Sequence, residues 1–264
     1  MSLVDYRGLC HCGAFKFKFR GPEIVQVFSC TCSYCARIGY LWARPGPVAD
    51  TFEVTKGSEE TTLVEYQFGL AHKFCPVCGT SVLARQIEGK QAVGINTRCI
   101  VGIDFETLPV VATDKGAHLE PAYTTPASLE ISPSNQGTTV YHGSCHCGAV
   151  KYTIASSEVI SEAKECNCSI CSRDGVLFTF PEESHITWSG LAALTEYTYG
   201  TKKTFHGFCK HCGVPICERF LWEPFTTRRA INVRTINNPG FDFRALRITK
   251  NDGRNNPPAW IEPE

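Results

Sequence analysis

The chain has 264 residues, and its 26 lysine and arginine residues balance 26 aspartate and glutamate residues. This zero formal charge argues against a broad basic surface for nucleic acid or an anionic membrane. The apolar runs are too short to span a bilayer, and the N-terminus lacks the charged and apolar regions of a secretory signal. We therefore expect a cytoplasmic protein whose 16 cysteines are reduced thiols, used for metal binding or catalysis.

The predicted secondary structure is mostly strand. Phe15, Phe17 and Phe19 alternate with basic residues, which is the pattern of a half-buried antiparallel strand. Further strands are predicted in the first half at residues 51–55, 62–68, 82–86 and 93–97. Residues 36–40 are predicted to form a short turn, and glycine and proline punctuate the strand runs. The predicted fold class is mostly β.

The first half of the chain recurs in the second half. Residues 6–14, with the sequence YRGLCHCGA, reappear as residues 141–149, with the sequence YHGSCHCGA. Later motifs recur in the same order. We predict a first domain at residues 1–124, a linker rich in Pro, Ser and Thr at residues 125–138, and a second domain at residues 139–264.

Each half carries three cysteine motifs in one order: C-x-C, then C-x-C-x-x-C, then C-x-x-C. Tetrahedral zinc needs thiolates about 3.8 Å apart, which close cysteine pairs at turns reach easily. Gly79 and Gly213 directly follow the C-x-x-C motifs and suit a turn residue with positive φ. Zinc is the expected metal; disulfides, or iron–sulfur clusters completed by Cys99 or Cys217, are the alternatives.

Seven motif cysteines per half are too many for one closed tetrahedral site. Two pairs make a four-thiolate site, which is typical of structural zinc, and the C-x-C-x-x-C triple then has three thiolates and a position open for water or substrate. The spacing alone does not decide which pairs combine, although joining the two outer pairs closes each unit end to end. The remaining thiols, Cys99 and Cys217, are predicted to be small buried side chains.

These motifs resemble those of the glutathione-dependent formaldehyde-activating enzymes, a family that shares its domain with centromere protein V. The similar segments are residues 8–13 and 143–148 (G-x-C-H-C-G), 30–35 and 166–171 (C-x-C-S-x-C), and 74–79 and 208–213 (F-C-x-x-C-G). The resemblance covers nearly all of both halves. It implies two tandem β-tent domains, each made of small antiparallel sheets pinned by zinc.

The resemblance also implies site residues and four zinc ions per chain. The outer pairs would hold two structural ions: Cys10, Cys12, Cys75, Cys78, Cys145, Cys147, Cys209 and Cys212. The triples would hold two catalytic ions: Cys30, Cys32, Cys35, Cys166, Cys168 and Cys171. Arg37 and Arg173, which match the basic residue that follows the triple in the family, would bind glutathione; exposed surface arginines are the alternative.

The activity that the resemblance implies is that of a carbon–sulfur lyase. Such an enzyme makes or breaks the bond between a thiol, glutathione in the family, and an aldehyde-type or other electrophilic carbon of a small molecule. Zinc with three thiolate ligands suits the handling of a thiolate better than the activation of water. The alternative is a non-catalytic tandem zinc module that presents a protein-interaction surface, and nucleic-acid binding is disfavoured by the neutral charge.

Two histidines in matched positions are candidate proton carriers. His72 and His206 each lie three residues before a C-x-x-C motif, and histidine titrates near neutral pH. The alternative for both is a packed structural role.

Overall fold

The computed structural model describes residues 3–43, 51–87, 93–114, 116, 119, 122–130 and 138–264. The chain divides into two compact units, one built mainly from Met1–Tyr123 and the other mainly from Thr124–Ser172 and Val176–Trp260. Residues 131–137 of the predicted linker lie outside the described residues, and residues 122–130 have no regular secondary structure. Among the described residues, every helix is too short or too polar to cross a membrane.

The first unit contains two sheets and one short α-helix within its described residues. Its strands are β1 (Leu3–Leu9), β2 (Lys16–Pro22), β3 (Val27–Cys30), β4 (Trp42–Ala43), β5 (Glu53–Lys56), β6 (Val64–Phe68), β7 (Leu70–Phe74), β8 (Ser81–Arg85), β9 (Val93–Asn96) and β10 (Val110–Thr113). One sheet has the order β1-β2-β5, and the other has the order β10-β3-β4-β9-β8-β7-β6. All pairings are antiparallel except that of β10 with β3.

The second unit repeats this topology. Its strands are β11 (Thr139–Ser144), β12 (Lys151–Ser156), β13 (Glu162–Cys166), β14 (Phe178–Thr179), β15 (Ile186–Ser189), β16 (Leu194–Tyr197), β17 (Thr204–Cys209), β18 (Pro215–Phe220), β19 (Arg229–Asn232) and β20 (Arg247–Asn251). Its sheets have the orders β11-β12-β15 and β16-β17-β18-β19-β14-β13-β20. The predicted fold class, mostly β in two similar halves, is confirmed.

The helices are short in both units. The α-helices are α1 (Ser33–Ile38) and α2 (Cys171–Asp174). Within the described part of the chain, the 3-10 helices are Thr97–Cys99, Glu183–His185, Leu191–Ala193, Val233–Thr235, Phe243–Ala245 and Gly253–Asn255. The turn predicted at residues 36–40 is therefore the end of α1, which stops at Gly39 in the left-handed conformation.

Buried and exposed side chains alternate along β2, and the buried ones form part of the core of the first unit. Phe17 and Phe19 are buried, whereas Lys18 between them is exposed. The β7–β8 pairing shifts register between Lys73 and Phe74, directly before the C-x-x-C turn, and β17–β18 does the same between Gly207 and Phe208. These irregularities interrupt the regular strand pairing directly before the two C-x-x-C turns.

Candidate metal centres and cavity

The two outer cysteine pairs of the first unit meet in one cluster. The sulfur atoms of its four members lie within 4.8 Å of one another: Cys10, Cys12, Cys75 and Cys78. The Cys12 sulfur is 3.7 Å from that of Cys10 and 3.6 Å from that of Cys75. These separations are close to the ~3.8 Å between thiolates around tetrahedral zinc, so the donor set fits this ion.

The second unit repeats the cluster with its own outer pairs. Its members are Cys145, Cys147, Cys209 and Cys212. The Cys147 sulfur is 3.5 Å from that of Cys145 and 3.7 Å from that of Cys209. Gly79 has φ of 75° and Gly213 has φ of 69°, as expected for the residue that closes each C-x-x-C turn. The pairing that the spacing left open is therefore between the outer motifs in both units.

Each triple is built where a strand ends and a helix begins. Cys30 is the last residue of β3, Cys32 caps α1, and Cys35 lies in the first turn of that helix. The Cys32 sulfur accepts a hydrogen bond from the Cys35 backbone N–H at 3.3 Å. The three sulfurs lie within 4.8 Å of one another, and so do those of Cys166, Cys168 and Cys171 in the second unit.

The thiols of a triple share negative charge unevenly. Hydrogen bonds from Cys32 and Cys35 lower the pKa of Cys30 to about 2, whereas the same interactions and burial hold the pKa of Cys35 well above its usual value. Cys166 and Cys171 repeat this division in the second unit. In such a crowded set only one thiol ionises readily. A divalent cation would stabilise the set by favouring the thiolate form of all three cysteines.

A glycine packs against each triple, which the sequence analysis did not assign to the site. A Cβ atom on Gly116 would lie 2.6 Å from Cβ of Cys32 and 2.8 Å from the sulfur of Cys30. A Cβ atom on Gly253 would lie 2.5 Å from the sulfur of Cys166. Contacts under 3.0 Å are not tolerated, so both positions require glycine. The sequence signal that could have identified these glycines is that they occupy equivalent positions in the two repeats.

The two candidate proton carriers have different surroundings. His72 is buried, its Nε2 donates to the Phe68 carbonyl at 3.2 Å, and its ring lies 4.4 Å from that of Tyr34. Burial lowers the pKa of His72 to about 4, so its ring is neutral at physiological pH. His206 instead has its Nδ1 atom 2.8 Å from a carboxylate oxygen of Glu218.

Glu218 is a site residue that sequence reasoning missed. It is buried on β18, and its Oε1 atom accepts a hydrogen bond from the Cys171 sulfur at 3.1 Å. Cys171, His206 and Glu218 form a further group close enough to share a cation. The available signal was a carboxylate directly after the apolar residues Pro215–Cys217 of the same strand.

The remaining predicted residues occupy other positions. Arg37 is buried, donates to the Ser33 carbonyl at 2.8 Å, and lies 5.0 Å from the ring centre of Tyr123. Arg173 is half-buried on α2. The glutathione-binding role of both arginines stays a prediction.

Cys99 and Cys217 lie outside the four cysteine clusters. Both are buried, and burial raises the pKa of each thiol to about 12. The Cys99 sulfur donates to the Ser81 carbonyl at 3.3 Å. The prediction that these cysteines are small buried side chains is confirmed.

A cavity of about 550 Å³ opens beside the triple of the second unit. Its lining includes all three thiols of the triple together with His206 and Glu218. A bound thiol and the groups able to handle its proton would therefore share one space.

Comparison with known proteins supports the duplicated organisation. The model of a family described as glutathione-dependent formaldehyde-activating enzyme matches residues 5–108 and again residues 140–245. Among solved structures, the crystal structure of a Rhodobacter sphaeroides protein is similar to this chain at 28% sequence identity. That match covers 41% of this chain and 99% of the other, with a TM-score of 0.36.

Proposed function

Because the chain belongs to the glutathione-dependent formaldehyde-activating enzyme family, we propose that it is a zinc-dependent carbon–sulfur lyase. Its reaction makes or breaks the bond between the sulfur of a thiol, glutathione, and an aldehyde-type or other electrophilic carbon of a small molecule. The observation that carries the proposal is the set of three thiols in each unit, separate from a four-thiol cluster. A unit that used metal only for stability would be served by the four-thiol cluster alone.

We assign one zinc ion to each cysteine cluster, which makes four per chain. The four-thiol clusters form closed sites for structural ions, and the triples form open sites for catalytic ions. Zinc at a triple supplies positive charge that favours the thiolate over the thiol near neutral pH. Arg37 and Arg173, which follow the triples, are assigned to the carboxylates of glutathione.

The residues of the second unit define the proton movement in the cleavage direction. The substrate is a hemithioacetal: its C–S bond breaks with the electron pair going to sulfur, while the hydroxyl group loses its proton and becomes a carbonyl. His206 lines the cavity and directs Nδ1 to Glu218, so its Nε2 is the ring nitrogen that accepts this proton. In the condensation direction the same nitrogen returns the proton to the forming hydroxyl group.

The test is the rate at which the full-length, zinc-loaded protein exchanges formaldehyde between its free form and its glutathione adduct, followed by NMR exchange spectroscopy. We expect the wild type to accelerate this exchange. The double variant Cys32→Ala/Cys168→Ala removes one thiol from each triple and should lose the acceleration.

The matched control is Cys99→Ala/Cys217→Ala, which removes two buried thiols outside the clusters. It should keep the acceleration. The lyase proposal is wrong if Cys32→Ala/Cys168→Ala is as active as this control. It is also wrong if the wild type fails to accelerate exchange for every aldehyde that is tested. The non-catalytic zinc module would then be the better account.

A further inference from the structure

The cavity of the second unit is far larger than formaldehyde requires. Its volume of about 550 Å³ falls within the range of roughly 300–1,000 Å³ that is typical of pockets for drug-sized ligands. The thiols of the triple form only one part of its lining. The rest of the cavity must contact other parts of a substrate.

Four rings form what we call the aromatic wall of this cavity: Phe180, Phe220, Trp222 and Phe225. The centre of the Phe225 ring lies 5.8 Å from that of Phe180, 5.5 Å from that of Phe220 and 4.7 Å from that of Trp222. Trp222 is 38% exposed, yet its Nε1 donates to the Thr204 hydroxyl at 3.2 Å, which fixes the ring. The wall is a preformed apolar surface that remains open to a ligand.

The aromatic wall is continuous with the thiol triple. Phe220 and Cys171 belong to one buried apolar cluster, and Phe180, Phe225 and Cys166 pack against it. Consider a substrate whose sulfur lies at the triple. An apolar group on the carbon next to that sulfur would reach the aromatic wall directly.

Two lysines are among the polar residues that line the same cavity. Lys164 and Lys203 both line it, and the Lys164 ammonium lies 5.6 Å from the ring centre of Phe180. The carboxylates of glutathione can pair with these lysines, whereas the aromatic rings offer a carboxylate no partner. The cavity thus offers cations for a peptide thiol and rings for an apolar group.

The first unit carries larger side chains at two matched positions in and after its own triple motif. Tyr34 and Tyr40 stand at the repeat positions of Ile170 and Val176, and both tyrosines are buried. The Tyr34 ring lies 6.2 Å from that of Tyr40 and 4.4 Å from that of His72. Two buried aliphatic side chains of the second unit are therefore replaced by buried rings in the first unit.

The strand register shows a second difference. The residue at the position of Phe220 in the aromatic wall is Gln86 in the first unit. The first unit therefore lacks one ring of the aromatic wall.

We propose that the second unit binds a glutathione adduct whose reacting carbon carries a bulky apolar group, aromatic by preference, and that this group packs on the aromatic wall. The identity of the thiol rests on the proposed function. The substrate class rests on the cavity alone.

The test compares two stable thioethers, S-benzylglutathione and S-methylglutathione, for binding to the full-length, zinc-loaded chain by isothermal titration calorimetry. The thiol part is the same, so the ratio of the dissociation constants reports the apolar group. We expect the benzyl compound to bind the second unit about tenfold more tightly. Neither probe can be cleaved as a hemithioacetal, so binding is measured without turnover.

Trp222→Ala and Phe225→Ala should each remove most of the preference for the benzyl compound. The control is Leu191→Ala, which removes an exposed apolar side chain of the second unit outside the cavity and should keep the preference. Equal affinities for the two compounds, or a preference unchanged in both wall variants, would overturn the inference. Failure of the lyase proposal appears separately, as absence of aldehyde exchange in the wild type with the binding preference intact.

Discussion

The Nδ1 atom of His206 lies 2.8 Å from Oε1 of Glu218, and the same oxygen accepts a hydrogen bond from the sulfur of Cys171. Strand pairing places Glu218 directly across from His206. In the first unit the β8 residue paired with His72 is Ala84, which has no polar side chain. Two units of equal topology are therefore chemically unequal beside their triples.

This difference predicts the effect of Glu218→Ala, which gives the second unit the residue of the first. Without the carboxylate, the His206 ring loses the contact that fixes its orientation and tautomer. We expect aldehyde exchange by the second unit, measured in a Cys32→Ala background that disables the first triple, to fall by about a hundredfold, the lower end of the range for a general acid or base. NMR exchange spectroscopy measures this loss, and the zinc content should stay unchanged.

The control for this variant is Glu182→Gln. It removes a half-buried carboxylate of the same unit that pairs with Arg228 at 3.1 Å, outside the cavity. Its exchange rate should equal that of the wild type. Comparable rates for Glu218→Ala and Glu182→Gln would remove the Glu218–His206 pair from the mechanism.

Much of the fold was predictable because β patterning is local. The strand expected at residues 82–86 is Ser81–Arg85, and the one expected at residues 93–97 is Val93–Asn96. The helix α1 was not predicted, because six residues are too few to show a helical period. Its start depends on the sulfur of Cys32 as a cap, which is an unusual capping group.

Site residues could be predicted from the sequence only where they belong to a recognisable motif. The cysteine clusters could be predicted from spacing and resemblance. The contact of Glu218 with Cys171 joins residues 47 positions apart, and the approach of Gly116 to Cys32 is equally non-local. Such contacts depend on cross-strand register and on loop paths, which a single sequence does not specify.

The lowered pKa of His72 predicts how its ring titrates. Burial holds the pKa of this histidine near 4, below the value of about 6.5 in the unfolded chain. The stability linked to the neutral ring is therefore complete above pH 6.5 and is lost as the pH falls toward 4. NMR of the ring carbons should show a neutral His72 at pH 5.5; a midpoint near 6.5 would contradict this.

The glycines beside the triples predict a selective loss of metal. Gly253→Ala places a methyl group in contact with the sulfur of Cys166, and Gly116→Ala does the same at Cys30. Each variant should lose one zinc ion per chain, and the double variant should lose two, as measured by elemental analysis after dialysis. Each unit serves as the control for the other. Retention of all four ions in the double variant would show that these glycines do not limit the triples.

The two classes of cysteine cluster should differ in what they stabilise. Cys212 is buried and belongs to a four-thiol cluster that joins two distant parts of the second unit, whereas Cys168 belongs to a triple within one short segment. Structural zinc contributes on the order of 10–16 kcal/mol in small zinc peptides, which is comparable to the whole stability of a typical domain. We expect Cys212→Ala to unfold its unit and Cys168→Ala to leave it folded but without exchange activity. Circular dichroism and urea denaturation of the two variants distinguish these outcomes, and Cys217→Ala is the control for loss of a buried thiol. A folded Cys212→Ala beside an unfolded Cys168→Ala would reverse the assignment of structural and catalytic zinc.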